Sequence, residues 1–366
     1  MCPPDWVRIP SSPVRIETPR RLRTAITDWD EYLIHQTPDT IDAVNSNDPH
    51  FMDRFHLICH NAEGTLHLQA GLGTYPNVNV MDGFVMVRHN NVQSNIRVSR
   101  RLQADRANTE VGPLSFKVLE PLKRWGIYLG ENEYGIGCSL EFTGRVAPYL
   151  YPNLRNMAHY NQPGRYTGSI TFDGQQFNAD DFLGPRDRSW GMRRPGSFAA
   201  LEIYLWIQAQ FSTFSLTLFY VKLPDIDSDR CLGAILKDDG SVVPLVEMRH
   251  RIKFIPGFRA YTNMELVLKD ADGEKRHLMA NPISPPIYMS GGGYDDRHGL
   301  DRGHFNIEGE RWGDISQPVS IESPLFDKHF QMNQRDATFR LDGESGVGLI
   351  ESSFSRGKSW QYKPNL

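Results

Sequence analysis

Residues 166–193 read YTGSITFDGQQFNADDFLGPRDRSWGMR, and this stretch sets the terms for the rest of the chain. A β-type run at 167–172 meets the turn Asp173-Gly174. A second run then leads through Gly184 and Pro185 into Asp187-Arg188-Ser189-Trp190-Gly191. Gly and Asp-Gly supply the backbone freedom that tight turns between antiparallel strands demand. The cluster sets a carboxylate, guanidinium groups and an indole side by side, where two similar-sized halves meet. Such a set is either a buried clasp or a site for an apolar substrate.

Outward from this stretch the same pattern repeats. Residues 55–60 and 65–69 flank the turn 61–64 and read as a hairpin. Short β-type runs follow at 83–89, 96–102, 116–119, 126–129 and 139–143, then at 199–207, 211–222, 234–236, 264–268 and 348–354. Gly, Asn, Asp and Pro separate them, which predicts a large all-β protein. One helix is predicted, over 22–33, capped through Thr18 and Pro19. Residues 203–221 carry no charge, yet they hold Gln208, Gln210, Ser212, Thr213, Ser215 and Thr217 and alternate. That predicts two paired strands rather than a membrane helix.

At 366 residues the chain is long enough for two domains, each with its own core. Hydrophobic content of 39% and charged content of 23% suit a soluble globular protein. The net charge of −4 is spread with both signs interspersed, so no nucleic-acid partner is expected. Cys2, Cys59, Cys138 and Cys231 are scattered without a CxxC pair, which argues against zinc ribbons and redox dithiols and predicts free buried thiols. The first residues lack a basic region followed by an apolar run, so a cytoplasmic protein without a signal peptide is expected. HExxH, GxSxG and GxGxxG are all absent, which disfavours Ser-triad hydrolases and nicotinamide enzymes.

Pro163-Gly164-Arg165, Gly168-Ser169-Ile170, the Phe172-Asp173-Gly174 turn and the DRSWG run at 187–191 resemble the AttH/CrtC-like superfamily. That group includes carotenoid 1,2-hydratases (hydroxyneurosporene synthases) and many bacterial proteins with a DRSWG-type motif. Residues 112–118, 120–122 and 140–142 extend the resemblance upstream. Residues 298–300, 302–303, 308–312 and 346–351 extend it downstream, so it touches most of the chain beyond residue 50. Arg188 stands where carotenoid hydratases usually carry His. The resemblance implies two tandem lipocalin/calycin-like antiparallel β-barrels packed together, an N-terminal one over 1–190 and a C-terminal one over 191–366. Such barrels enclose small apolar ligands.

Asp187 is the first candidate for chemistry. A carboxyl buried among apolar groups has its pKa raised and can protonate an alkene, while the Trp190 face stabilises a developing cation. Arg188 and Arg193 act in the opposite sense on Asp187 and suit an oxyanion or carboxylate of the substrate. In an extended strand Asp187 and Ser189 face one side, Arg188 and Trp190 the other. Asp187 and Trp190 therefore share a cavity only if the chain turns here, for which Pro185 and Gly191 provide. The alternative is an Asp187–Arg clasp with Trp190 as core.

On residues 199–207 one face carries Glu202, Tyr204 and Trp206, and the other Leu201, Ile203, Leu205 and Ile207. This suits a cavity-lining strand, with Glu202 as a second acid or base. A four-residue turn at 61–64 pairs Ile58 with His67 and gathers His56, His60 and His67 on one face. Hydrogen-bonded or exposed histidines are the favoured reading there, ahead of a metal site. The Gly-rich 290–296 lacks a phosphate-loop context and reads as a flexible connection. His298, Asp301 and Arg302 match a recurrent family stretch, which implies cavity positions. Glu351 lies on a family-like terminal strand as a partner for a motif Arg.

Together these residues and the resemblance imply a cofactor-independent enzyme acting on an apolar terpenoid- or polyketide-like substrate by hydration, isomerisation or cyclisation. Asp187 and Glu202 are its catalytic candidates. Arg188, Trp190, Arg193, Tyr204, Trp206, His298 and Arg302 are its substrate-binding candidates. No metal, nucleic-acid partner or integral membrane segment is expected. Two alternatives stay open: a non-catalytic carrier of a lipid or isoprenoid, and an assembly protein whose DRSWG run is purely structural.

Overall fold

The computed structural model describes residues 31–33, 44, 46–103, 105–152, 154, 156–193, 201–224, 229–355 and 357–366. The helix expected over 22–33 lies outside the described residues except for 31–33, and Cys2 lies outside them altogether. Strands account for 60% of the structure and helix for 4%, so the protein is all-β.

The first sheet begins as a meander of β1 (Phe51–His60), β2 (Leu66–Tyr75), β3 (Val80–His89) and β4 (Val92–Arg101). It continues through β5 (Glu110–Val111), β6 (Leu114–Glu120), β7 (Arg124–Leu129), β8 (Ile136–Gly144) and β9 (Tyr149–Leu150). β10 (Met157–Phe172), β11 (Gln175–Asn178) and β12 (Phe182–Met192) follow. The second sheet holds β13 (Ile203–Gln210), β14 (Phe214–Lys222), β15 (Arg230–Lys237) and β16 (Val242–Phe254). It adds β17 (Tyr261–Asp270), β18 (Lys275–Pro282) and β19 (Ile287–Tyr288). β20 (Phe305–Trp312) returns to pair with β4 of the first sheet, and β21 (Asn333–Leu341) and β22 (Glu344–Phe354) complete the second. The change of sheet falls after Met192, so the position between 190 and 191 is inside β12.

Both sheets curl into antiparallel barrels, the tandem lipocalin-like architecture. The second closes on itself because β18 pairs with β17 on one edge and β21 on the other. Period-two alternation decides what each barrel encloses. On β2, Leu66, Leu68, Ala70 and Leu72 enter the first core, and His67, Gln69, Gly71, Gly73 and Tyr75 face away from it. On β13, Ile203, Leu205 and Ile207 fill the second core, while Tyr204 and Trp206 face the first barrel and pack with Ile58 and Leu349. Residues 203–221 are thus the β13–β14 pair, as their alternation predicts.

The outer faces of β1, β2, β10 and β12 meet those of β13, β14, β21 and β22 in a seam between the barrels. Direct bonds cross it: Tyr151 Oη to Thr217 Oγ1 at 2.6 Å, Gln210 Nε2 to Gly164 O at 2.7 Å, and His67 Nδ1 to Asp336 Oδ1 at 2.6 Å. Two local readings change. The β1–β2 turn spans 61–65, because Asn61 Oδ1 accepts from the amides of Thr65 and Leu66. His60 therefore pairs with His67, and Ile58 with Gln69. The shift of two residues preserves parity, so His56, His60 and His67 still share a face. The Gly-rich stretch is a buried 3₁₀ turn, Met289–Gly292, packed against the first barrel rather than a loose connection.

Among the described residues no helix is long and apolar enough to cross a membrane. Cys59, Cys138 and Cys231 are free thiols, and burial pushes Cys138 and Cys231 up to about 12.

Candidate active site

β12 runs straight through the DRSWG motif. Its pairing with β10 is unbroken from Phe182 to Gly191, and its register with β1 is the same at Leu183 as at Gly191. Alternation is therefore strict here: Asp187 and Ser189 face the seam, and Arg186, Arg188 and Trp190 face the first barrel.

Inside that barrel the arginines are committed. Arg186 pairs with the buried Glu31 at 2.5 Å, and Glu31 also accepts from Tyr160 Oη and Trp125 Nε1. Arg188 pairs with Asp53 and lies over the Phe55 ring at 4.5 Å and the Trp190 ring at 5.7 Å. Trp190 is half-buried beside Tyr160. Asp187 and Trp190 are thus on opposite sides of one strand.

In the seam, Asp187 sits between two imidazoles. His56 Nδ1 from β1 is 3.6 Å from Asp187 Oδ2, and His159 Nε2 from β10 is 3.4 Å from the same oxygen. The cross-strand partner of His56 is Asp187 itself, so register alone brings them together. Burial works to raise the Asp187 pKa, but His159 and His56 outweigh it and hold the carboxyl below the ordinary carboxylate range. The side chain is 12% exposed.

Facing this group from the second barrel is Glu351 on β22. Tyr204 Oη donates to its Oε1 at 2.6 Å and Gln334 Nε2 to its Oε2 at 2.5 Å. Burial raises the Glu351 pKa against those hydrogen bonds. Glu351 was expected beside a motif arginine; Arg186 and Arg188 point to the other side of β12, and Glu351 takes Tyr204 and Gln334 instead. Trp206 is buried in the seam next to Tyr204, and Phe219 meets Tyr204 edge-on at 5.5 Å.

A second polar group lines the seam on β1–β3. Arg54 lies over the rings of Tyr294 (5.5 Å) and Phe84 (5.9 Å). Burial acts against its charge, but Tyr75, Tyr294, Asp82 and Asp187 together keep it a cation. His298 Nδ1 is 3.7 Å from Asp82 Oδ2, and burial followed by Arg54 pushes its pKa down to about 4. Arg193, half-buried, adds charge that reaches Tyr75, Tyr204, Tyr294 and His298. Asp82 and His298 also line a cleft bounded by Gly292, Gly293 and Glu308.

Glu202 is half-buried and pairs with Lys222 at 3.5 Å beyond the start of β13. Arg302 lines the same cleft as Asp82 and His298 and pairs there with Glu308 at 2.6 Å, and Asp301 pairs with Arg101 at 3.2 Å. His60 and His67 meet Asp336, which Arg88 also holds at 2.5 Å, in a fully buried cluster between the barrels. Among the described residues no group of three or more His, Cys, Asp or Glu is arranged to hold a metal ion.

Arg54, Tyr75, Asp82, His159 and Tyr294 were not among the sequence candidates. Alternation carried a signal for two of them: Arg54 shares the face of His56, and His159 that of Asn161. The others depend on which strands neighbour β1.

The model of a family described as a family of unknown function (DUF8625) matches residues 26–355. No curated protein matches the sequence. Among solved structures, the AttH-like protein NE1406 of Nitrosomonas europaea is similar at 14% identity with a TM-score of 0.55, over 84% of this chain and 93% of that one. Kievitone hydratase of Nectria haematococca is similar at 10% identity and a TM-score of 0.52, over 83% and 89%. CghA with Sch210972 is similar at 12% identity and a TM-score of 0.55, over 84% and 90%. At these identities the likeness shows the fold.

Proposed function

We propose, from the premise that this chain belongs to DUF8625, a family of unknown function, that the barrel seam is the active site of an enzyme. It adds water to, isomerises or cyclises an apolar terpenoid- or polyketide-like molecule. The observation that carries this reading is a pair of carboxyl groups in one seam in opposite environments, one flanked by two imidazoles and one buried against Tyr204 and Gln334. Asp187 is depressed between His56 and His159, and Glu351 is raised by burial. Environments that push two acids apart assign their roles: the raised group gives a proton, the depressed one stays ionised.

In a hydration, Glu351 protonates one alkene carbon. An imidazole steadied by Asp187 takes a proton from the water whose oxygen bonds to the other carbon. Isomerisation uses the same two proton transfers without water, and neither requires a cofactor. Tyr204, Trp206, Phe84 and Phe219 give the substrate an aromatic surround, which favours a flexible apolar molecule held in one reactive conformation. A hydratase among the structures of this fold supports the reaction class. Free Cys59, Cys138 and Cys231 support a reducing, cytoplasmic location.

Native mass spectrometry of gently purified protein, then solvent extraction, identifies any bound molecule. Incubating that molecule with enzyme in D₂O supplies the decisive comparison. Deuterium or a changed carbon skeleton in the wild type, absent from Asp187→Asn, is the expected result. A ligand returned unchanged and unlabelled by the wild type would establish a carrier.

A further inference from the structure

We infer that Arg54 is an anion anchor in the seam: with the Tyr75 hydroxyl, it reads an acidic oxygen group, a carboxylate or enolate, carried by an otherwise apolar substrate. This rests on the proposed function only for the seam being where substrate binds.

Arg54 is 3% exposed, as buried as a core side chain. Arg88, Arg186 and Arg188 are buried to the same degree, and each has a carboxylate of its own in Asp336, Glu31 and Asp53. Arg54 differs. Among the described residues it has no ion pair, and its Nη2 has no hydrogen-bond partner. A buried guanidinium that no carboxylate touches leaves N–H groups unsatisfied, and that is costly even with Asp82 and Asp187 acting on its charge from a distance. The nearby acids, Asp82 and Asp187, act on Arg54 from beyond ion-pair distance, and Asp82 Oδ1 itself has no hydrogen-bond partner. Asp82 accepts from the Gly299 amide at 2.6 Å and faces His298, and Asp187 is held by two histidines.

The surroundings hold this cation in place. On the neighbouring strand Gly73 leaves the room it occupies, since a Cβ there would come 2.4 Å from Arg54 Cγ. Gly71 does the same for Phe84, one of the two rings beneath the guanidinium. Tyr75 Oη is also buried without a partner, and burial raises its pKa, so it remains a neutral donor. Two unpaired donors, one of them cationic, call for an acceptor that brings negative charge. Of the two anchors suggested by sequence, Arg188 is already used inside the barrel, and Arg193 is only half-buried.

The test compares decanoate with decan-1-ol, which share a chain and differ in the charged end, by isothermal titration calorimetry on the full-length protein. Wild type is expected to bind decanoate at least about tenfold more tightly. Arg54→Met, similar in length and apolar, should remove that preference and leave decanol affinity within about twofold. Tyr75→Phe should reduce it in part. Equal affinities in the wild type, no decanoate binding, or an undiminished preference in Arg54→Met would each overturn the inference. Failure of the enzyme reading shows separately, as absent D₂O labelling with decanoate preference intact.

Discussion

Asp187 and Arg188 are consecutive residues that face opposite sides of β12. Asp187 enters the seam between His56 and His159, and Arg188 enters the first barrel to pair with Asp53. One extended motif therefore serves two environments. Its arginines tie β12 to the barrel interior, and that anchoring fixes where the Asp187 carboxylate stands relative to β1 and β10.

The two residues should separate activity from stability. Asp187→Asn keeps the strand and its hydrogen-bonding shape but loses the charge that steadies both imidazoles, and turnover should fall by roughly 10²-fold or more. Arg188→Met takes the Arg188 guanidinium away from the buried Asp53 and should cost about 3–5 kcal/mol. Turnover of the extracted ligand and urea midpoints, measured on both variants, check the split. Equal loss of stability in both would place Asp187 among the structural clasps.

Much of the fold was legible because β-alternation is written directly in the residues. The polar and aliphatic faces of 203–207 are assigned correctly by period two alone, and so are the opposed sides of Asp187 and Arg188. The turn after His60 was misjudged because a side chain, Asn61, caps two amides and lengthens it. The seam was less legible. Asp82, Tyr294 and Glu351 come from strands and loops far apart in sequence. Only sheet order, including the return of β20 to β4, brings the 293–299 segment onto the first barrel. Glu202 drew attention as an ionisable group among aromatic residues and Arg302 through the family resemblance, and both form local ion pairs.

The Glu31–Arg186 pair gives a second prediction. Glu31 is fully buried and serves Arg186, Tyr160 and Trp125 together. Glu31→Gln or Arg186→Met alone should destabilise by about 3–5 kcal/mol, since each strands a charge in the barrel. The double variant should recover part of that loss, because neither charge remains. Chemical denaturation of the four proteins yields the coupling, and strict additivity would show that the two do not act as a pair.

Gly191, the last residue of the motif, sits at φ 129°, and a Cβ there would come 2.2 Å from Asn156 O. The neighbouring Met192 amide donates to that same oxygen at 2.9 Å, so the strand cannot move away cheaply. Gly191→Ala should lower stability by more than about 2 kcal/mol, from left-handed backbone strain and a lost strand contact together. Thermal unfolding checks this, with Gly174→Ala as the comparison. That site also has positive φ (76°), but a Cβ there meets nothing within 4 Å, so only the backbone penalty applies.

Stability should fall steadily as the solution is acidified, and the buried histidines set the first part of that slope. Burial pushes His298 and His250 down to about 4. An unfolded imidazole titrates near pH ~6.5, so between about 4 and 6.5 the unfolded chain binds more protons than the folded one. Their contribution is complete above about pH 6.5 and is lost as pH falls towards 4. Asp187 and Asp336, both depressed, act in the same direction at lower pH. Their contribution is full above the ordinary carboxylate range and is lost as pH falls through their folded values. Urea unfolding across this range, with imidazole NMR titration of the folded protein, tests the assignment. The His298 resonance should stay that of a neutral ring down to about pH 5, and His298→Gln should flatten the slope between about 4 and 6.5 while leaving the lower-pH part unchanged. A His298 midpoint near the free imidazole value would mean that Arg54 and burial do not act on it, and would remove the electrostatic link between the two ends of the seam.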